Sequence, residues 1–145
     1  MADVLLLNGP NLNLLGQREP EVYGTATLED HIATFVEVAK DAGLTVEHMQ
    51  SNHEGDFVDA IQSARIEHRA IVINPGAFGH YAWAIHDALA SFDGPIIELH
   101  ISNPEAREAW RRTSVVAPVA TGIIEGFGGY GYRLAAQAIA ELLQR

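Results

Sequence analysis

Short apolar segments alternate with longer segments of helical periodicity along the 145 residues, and this alternation limits the possible folds more than any other feature. Strands that alternate with helices pair in parallel and are covered by helices on both faces. The sequence therefore predicts an α/β fold, a flavodoxin-like three-layer sandwich with a five-stranded parallel sheet, and leaves a Rossmann-like strand order as the alternative. The predicted strands are Val4–Leu7, Thr45–Met49, Ala70–Ile73, Pro95–Leu99 and Val119–Ile124.

Helical patterns fill the gaps between the predicted strands. The clearest pattern runs from about Leu28 to Ala42, with Thr27 as the N-cap, Asp30 at the capping-box position and Gly43 just past the end. No linker, repeat or low-complexity tract interrupts the chain, so residues 1–145 are predicted to form a single domain. The other predicted helices are Gly55–Ala64, His80–Ser91, Pro104–Arg112 and Tyr132–Leu143.

Composition excludes several classes of function. A net charge of −10 with nine Lys and Arg argues against nucleic-acid binding, which needs a basic surface. No apolar run approaches the ~18 residues of a membrane span, and the first residues lack the basic region of a signal peptide, so we expect a cytoplasmic protein without a membrane partner. The absence of cysteine excludes thiolate catalysis, and the single lysine, Lys40, argues against Schiff-base chemistry.

Polar side chains concentrate just after the predicted strands. Parallel α/β sheets bind ligands at the carboxyl ends of their strands, and all six asparagines of the chain lie in four of the five segments that follow the strands. Amides are neutral donors and acceptors that suit a polyhydroxylated or carboxylate ligand, although Asn and Gly also serve ordinary turns.

The segment "GFGGYG" matches the G-x-G-x-x-G pattern of dinucleotide sites at Gly126, Gly128 and Gly131. No predicted strand follows it to carry the acidic residue that binds the ribose, and the opening loop has no Walker signature. We interpret the glycines as a tight turn into the last helix and expect no cofactor.

Glu98 and His100 lie two residues apart on a predicted strand and therefore share one face. A carboxylate beside an imidazole stabilises the imidazolium, which a general acid requires near neutral pH. A histidine satisfied by a nearby turn is the structural alternative. A metal site could recruit His80 as well, but the three residues have no recognised ligand spacing, so no metal is predicted.

The opening loop "NGPNLNLLGQREPEVYG", residues 8–24, cannot form regular structure along its length. Arg18 and Tyr23 stand five residues apart in it, and a guanidinium near a phenol favours the phenolate, which can act as a base. A surface arginine and a packing tyrosine would explain the same residues.

Five segments in chain order, "NGPNLNLLGQREPEVYG", "QSNHEGD", "INPGA", "ELHISNP" and "GYGYRLA", together resemble type II 3-dehydroquinate dehydratase. The resemblance implies a flavodoxin-like fold assembled as a trimer-based dodecamer, and a lyase without metal or cofactor. It also implies dehydration of 3-dehydroquinate to 3-dehydroshikimate through an enolate, a step of the shikimate pathway toward chorismate and the aromatic amino acids.

The family pattern implies roles for five catalytic residues. Tyr23 is the phenolate that removes the C2 proton, and Arg18 favours its charged form. Asn11 stabilises the enolate through a water molecule. His100 protonates the departing C1 hydroxyl, and Glu98 orients it. The loop at about residues 17–25 is then a lid over the substrate.

The same pattern assigns the substrate contacts. The backbone N–H groups of Ile101 and Ser102, with the side chain of Asn74, match the part that grips the carboxylate, and His80 and Arg111 match the part that binds hydroxyls.

Asp87 matches a residue that reaches into a neighbouring subunit's site. The chain departs from the pattern at Gly79 and Ala82, where hydroxyl side chains are common. A flavodoxin-like binding module or a retired enzyme is the alternative, although a retired enzyme would be expected to lose the Tyr–Arg or the Glu–His pair.

Overall fold

The central sheet has five parallel strands in the order β2-β1-β3-β4-β5. The structure is a computed structural model and describes residues 2–17 and 19–145. This order confirms the flavodoxin-like fold and rules out the Rossmann-like alternative. The strands are β1 (Val4–Asn8), β2 (Val46–Gln50), β3 (Ala70–Asn74), β4 (Ile96–His100) and β5 (Gly122–Glu125).

Helices cover both faces of the sheet because the central strands are apolar on both. In β1, Val4 and Leu6 face one layer and Leu5 and Leu7 face the other, as the two-residue period of a strand requires. Helices α2 and α5 pack on the first face, and α3 and α4 pack on the second. The α-helices are α1 (Pro20–Tyr23), α2 (Leu28–Asp41), α3 (Glu54–Glu67), α4 (Trp83–Ala90) and α5 (Tyr130–Leu143).

Helix α2 begins and ends as its sequence predicts. The Thr27 hydroxyl accepts from the N–H of Asp30 at 3.2 Å, and the Asp30 carboxylate accepts from the N–H of Thr27 at 2.9 Å, which completes the capping box. Gly43 follows the helix with φ +79°, and its N–H donates to the carbonyl of Lys40. Only a residue that tolerates a positive φ ends a helix in this way.

The predicted helix Pro104–Arg112 was wrong, because this segment forms two separate 3₁₀ turns, Pro104–Ala106 and Ala109–Arg112. The Asn103 side chain caps the first turn by accepting from the N–H of Glu105, and Arg107 is extended between the turns. In a continuous helix Arg107 would have helical backbone dihedrals instead of the extended ones observed.

Two other boundaries also differ from prediction. The last strand begins at Gly122 rather than Val119, because Pro118 belongs to a 3₁₀ turn, Ala117–Val119. The helix predicted from His80 begins at Trp83, since residues Gly76–His80 form a 3₁₀ turn that brings His80 to the sheet edge. The opening loop was wrongly predicted to lack regular structure, because it contains a 3₁₀ turn, Leu12–Leu14, and the short helix α1, which Pro20 begins. The remaining predicted elements lie within a few residues of those observed.

The "GFGGYG" segment forms the predicted tight turn between β5 and α5. Gly126 and Gly128 have φ values of +93° and +62°, which side chains rarely adopt. Across residues 2–17 and 19–145, none of the helices combines the length and the apolar character that crossing a bilayer requires.

Candidate active site

A cavity of about 130 Å³ lies at the carboxyl ends of β1, β3 and β4. The opening loop and the two 3₁₀ turns after β4 complete its walls. Eight of the residues predicted from sequence line it: Asn11, Tyr23, Asn74, His80, His100, Ile101, Ser102 and Arg111. Residues distant in sequence therefore converge, as expected for the strand ends of a parallel sheet.

Glu98 and His100 form a buried pair at the floor of the cavity. The Nε2–H of His100 donates to Oε2 of Glu98 at 2.6 Å, and the Ser114 hydroxyl donates to the same oxygen at 2.7 Å. Only 1% of Glu98 and 7% of His100 is exposed. Glu98 thus lies behind the imidazole and holds its orientation, while the other edge of the ring remains for a ligand.

His80 stacks on His100, with ring centroids 6.1 Å apart and an interplanar angle of 18°. Its Nδ1–H donates to the carbonyl of Thr113 at 2.7 Å, which leaves Nε2 as an acceptor in the neutral ring. Burial lowers the pKa of His80, and only part of this effect is reversed by the bond to Thr113. Although Gly79 and Ala82 carry no hydroxyls, the Thr113 carbonyl orients this ring.

A buried amide network underlies the cavity. The Nδ2–H of Asn74 donates to the Tyr132 hydroxyl at 3.0 Å, and that hydroxyl donates to Oδ1 of Asn8. Oδ1 of Asn74 accepts from the N–H of Gly76 at 3.3 Å. Burial raises the pKa of Tyr132, so the phenol stays protonated and remains a donor. Sequence reasoning placed Tyr132 only at the start of the last helix and missed this contact.

Arg107 is a site residue that the sequence analysis did not identify. Its Nη1–H donates to the Tyr23 hydroxyl at 2.9 Å and to the Ser102 hydroxyl at 3.1 Å. The guanidinium carbon lies 5.3 Å from the centre of the Tyr23 ring. An arginine between "HISNP" and Arg111 was the available signal, and the incorrect helix prediction concealed it. The predicted partner Arg18 lies outside the described residues.

The loop after β1 is tied to the loop after β2. Asn11 has φ +67°, and its backbone N–H donates to Oδ1 of Asn52 at 3.0 Å. The Gln50 side chain donates to the same oxygen at 3.2 Å and to the carbonyl of Gly9 at 3.1 Å. These bonds fix the backbone of Asn11 at the wall of the cavity that this residue lines.

The two remaining predicted residues differ in placement. The Nε–H of Arg111 donates to Glu108 at 3.0 Å, and its guanidinium carbon lies 4.1 Å from the centre of the Trp110 ring at the cavity rim. Asp87 is exposed on α4 and does not line the cavity of its own chain.

The chain is similar to class II dehydroquinases in both sequence and structure. The family model described as "Dehydroquinase class II" matches residues 2–140. A 3-dehydroquinate dehydratase of Bacillus licheniformis is 52% identical over 135 residues, which cover 93% of each chain. A catabolic 3-dehydroquinase of Aspergillus clavatus is 54% identical over 137 residues, covering 94% of this chain and 91% of that protein. The crystal structure of a type II dehydroquinase from Butyrivibrio crossotus matches with a TM-score of 0.91 and 46% identity, covering 95% of this chain and 97% of that one.

Proposed function

The chain belongs to the class II dehydroquinase family, and from this membership and the cavity geometry we propose that it dehydrates 3-dehydroquinate to 3-dehydroshikimate. The observation that carries the proposal is one cavity lined by both the Tyr23–Arg107 pair and the His100 ring that Glu98 orients. One pair supplies a base and the other an acid, and the reaction needs both. The step belongs to the shikimate pathway, as the family implies.

Tyr23 is the base in this proposal. The C2 proton is acidic because it lies next to a ketone, and its loss leaves an enolate. A phenolate at Tyr23 accepts this proton, and the hydrogen bond from Arg107 stabilises the negative charge on the phenolic oxygen. Arg18, five residues before Tyr23, is proposed to act in the same way, as the resemblance implies. Asn11, whose backbone is fixed at the wall, stabilises the enolate oxygen through a water molecule.

His100 is the general acid that protonates the departing C1 hydroxyl. Its Nε2–H is committed to Glu98, so the transferred proton leaves from Nδ1. The buried Glu98 carboxylate stabilises the imidazolium before the transfer, and the Ser114 hydroxyl holds that carboxylate in place.

Neutral and cationic donors hold the substrate. The N–H groups of Ile101 and Ser102 and the amide of Asn74 bind the carboxylate, as the family pattern implies, and His80 and Arg111 bind ring hydroxyls. All of these residues line the cavity, which supports the assignment. No cofactor or metal enters the proposed mechanism.

We also propose that the chain acts in the cytoplasm as a dodecamer built from trimers. Asp87 supports this assembly, since it is exposed on α4 and outside its own cavity, where a neighbouring subunit can receive it. In this arrangement Asp87 completes the neighbour's site.

Tyr23→Phe tests the proposal, with enone formation from 3-dehydroquinate followed by absorbance and C2 proton exchange followed by NMR. Because the change removes only the basic oxygen, both rates should fall at least about 10²-fold. Tyr81→Phe is the matched control, since Tyr81 is 58% exposed and outside the cavity, and it should behave as wild type. Absence of enone formation by the wild type would overturn the function, and normal exchange by Tyr23→Phe would overturn the assignment of the base.

A further inference from the structure

A second cluster of chemically competent side chains lies away from the proposed active site. Glu47 of β2 and Glu67 and His68 at the end of α3 each place one ligand atom within 4.8 Å of the other two. The three residues line a cavity of about 350 Å³ that shares no lining residue with the cavity at the strand ends.

The fold brings these residues together for a simple geometric reason. β2 is an edge strand, and Glu47 and Met49 point to the same face because side chains alternate along a strand. On α3, Ala60, Ser63 and Glu67 follow helical spacing and line the same cavity as Glu47. His68 follows directly after the last helical residue. The cluster therefore joins the edge strand to the helix that covers it.

The burial and the hydrogen bonding of the His68 ring favour a bound cation. Its side chain is only 2% exposed, and Nε2 lies 2.9 Å from Oε1 of Glu47. Within residues 2–17 and 19–145, however, neither ring nitrogen has a partner in hydrogen-bond geometry. A protonated imidazolium here would face the Glu47 carboxylate at Nε2 outside hydrogen-bond geometry and would bury its Nδ1–H without an acceptor, which is costly. A neutral imidazole that binds a cation through one nitrogen leaves only one such donor.

We propose that Glu47, Glu67 and His68 bind a divalent transition-metal ion of the zinc type. One imidazole nitrogen and two carboxylate oxygens are ligands that zinc accepts at about 2.0–2.2 Å, and the two carboxylates balance its charge. Zinc ligands in tetrahedral geometry stand about 3.3 Å apart, which lies between the 2.9 Å contact and the 4.8 Å limit of the cluster. Water completes the coordination.

The ion stabilises the fold and takes no part in the proposed dehydration. Glu67 and His68 lie just before the amino end of β3, whereas the proposed active site lies at the carboxyl ends of β1, β3 and β4. The metal links α3 to β2, and any ligand that binds only the folded chain raises the stability of that chain.

Calorimetric titration of the metal-free protein with zinc chloride tests the proposal. The wild type should bind one zinc ion. Glu67→Gln and His68→Gln should bind zinc at least about tenfold more weakly, because changing even a residue that only supports a metal ligand lowers metal affinity about 10–100-fold. Zinc should raise the melting temperature of the wild type and not of the variants. Glu37→Gln, on the exposed face of α2, is the matched control and should bind zinc as the wild type does.

Glu67 is exposed, so Glu67→Gln should fold even if the substitution of His68 does not. Zinc binding by Glu67→Gln with wild-type affinity and stoichiometry would overturn the proposal and assign the metal to the other histidines. Failure of the wild type to bind zinc would leave only an ion pair between His68 and Glu47.

Discussion

The hydroxyl of Tyr132 shows how much one atom contributes to the proposed site. It accepts from Asn74 and donates to Asn8, and so connects the carboxyl ends of β3 and β1. The two partners lie 58 and 124 residues away in sequence. Periodicity predicts that Tyr132 belongs to a helix, but no local pattern encodes contacts over such separations.

Tyr132→Phe should therefore weaken substrate binding more than it slows the chemistry. The ring keeps its parallel stacking on His31, at a centroid distance of 5.1 Å, while the amide of Asn74 loses its acceptor. We expect KM to rise several-fold with a smaller change in kcat, and the free energy of unfolding to fall by about 1–3 kcal/mol. Steady-state kinetics and urea unfolding measure these effects. Tyr130→Phe, an exposed change on the same helix, is the control. A large fall in kcat with unchanged KM would contradict this role.

His100→Ala should separate the two proton transfers. The general acid acts after the enolate forms, so dehydration should fall at least about 10²-fold. Exchange of the C2 proton with solvent should persist, because the Tyr23–Arg107 pair is intact. Absorbance reports dehydration, and NMR of the substrate in deuterated water reports exchange. Dehydration reduced by less than about 10²-fold would show that the acid is another group.

At the scale of elements, the sequence predicted most of the fold and missed one segment. Apolar strands and a capping box are local signals, so β1, β3 and α2 were predicted closely, and the two-residue period of β4 placed Glu98 and His100 on one face. The segment 104–112 is rich in residues that favour helices, but the hydrogen bonds of Arg107 to Tyr23 and Ser102 hold it in another shape. Tertiary contacts override propensity in this way, and the prediction of Arg107 failed with the helix.

Thr27→Ala tests the capping box that begins α2. The substitution removes the acceptor of the Asp30 N–H at the first turn, while the exposed position avoids any loss of core packing. The free energy of unfolding should fall by about 1 kcal/mol, measured by urea titration. Thr34→Ala in the middle of the same helix should lower the free energy of unfolding less. The Thr34 hydroxyl donates to the carbonyl of Asp30, which is already an acceptor in the backbone hydrogen bonding of the helix. Equal losses in the two variants would mean that capping contributes little.

At the scale of the whole molecule, three buried or half-buried histidines make the stability depend on pH. Burial lowers the pKa of His31, His48 and His80 in the folded state. Between the folded pKa and the ordinary value near ~6.5, the unfolded chain binds more protons than the folded chain. This part of the stability is therefore complete above about pH 6.5 and is lost as the pH falls through the folded values, by at most about 1.4 kcal/mol per pH unit for each histidine.

We expect a lower free energy of unfolding at about pH 5.5 than at about pH 7.5, measured by urea titration at one protein concentration. His48→Gln removes one titrating ring and should flatten the dependence. Equal or greater stability at the lower pH would contradict the role of the buried rings.

The position of Tyr132 in α5 also affects the order in which the proposed site forms during synthesis of the chain. Every residue proposed to contact substrate precedes residue 112, whereas α5 begins at Tyr130. Ribosomes deliver a chain from its amino end, so a nascent chain acquires its proposed acid, base and carboxylate-binding groups before the tyrosine that holds Asn74. Because α5 also packs its apolar face against the sheet, we expect the proposed site to become fully ordered only after this helix has docked.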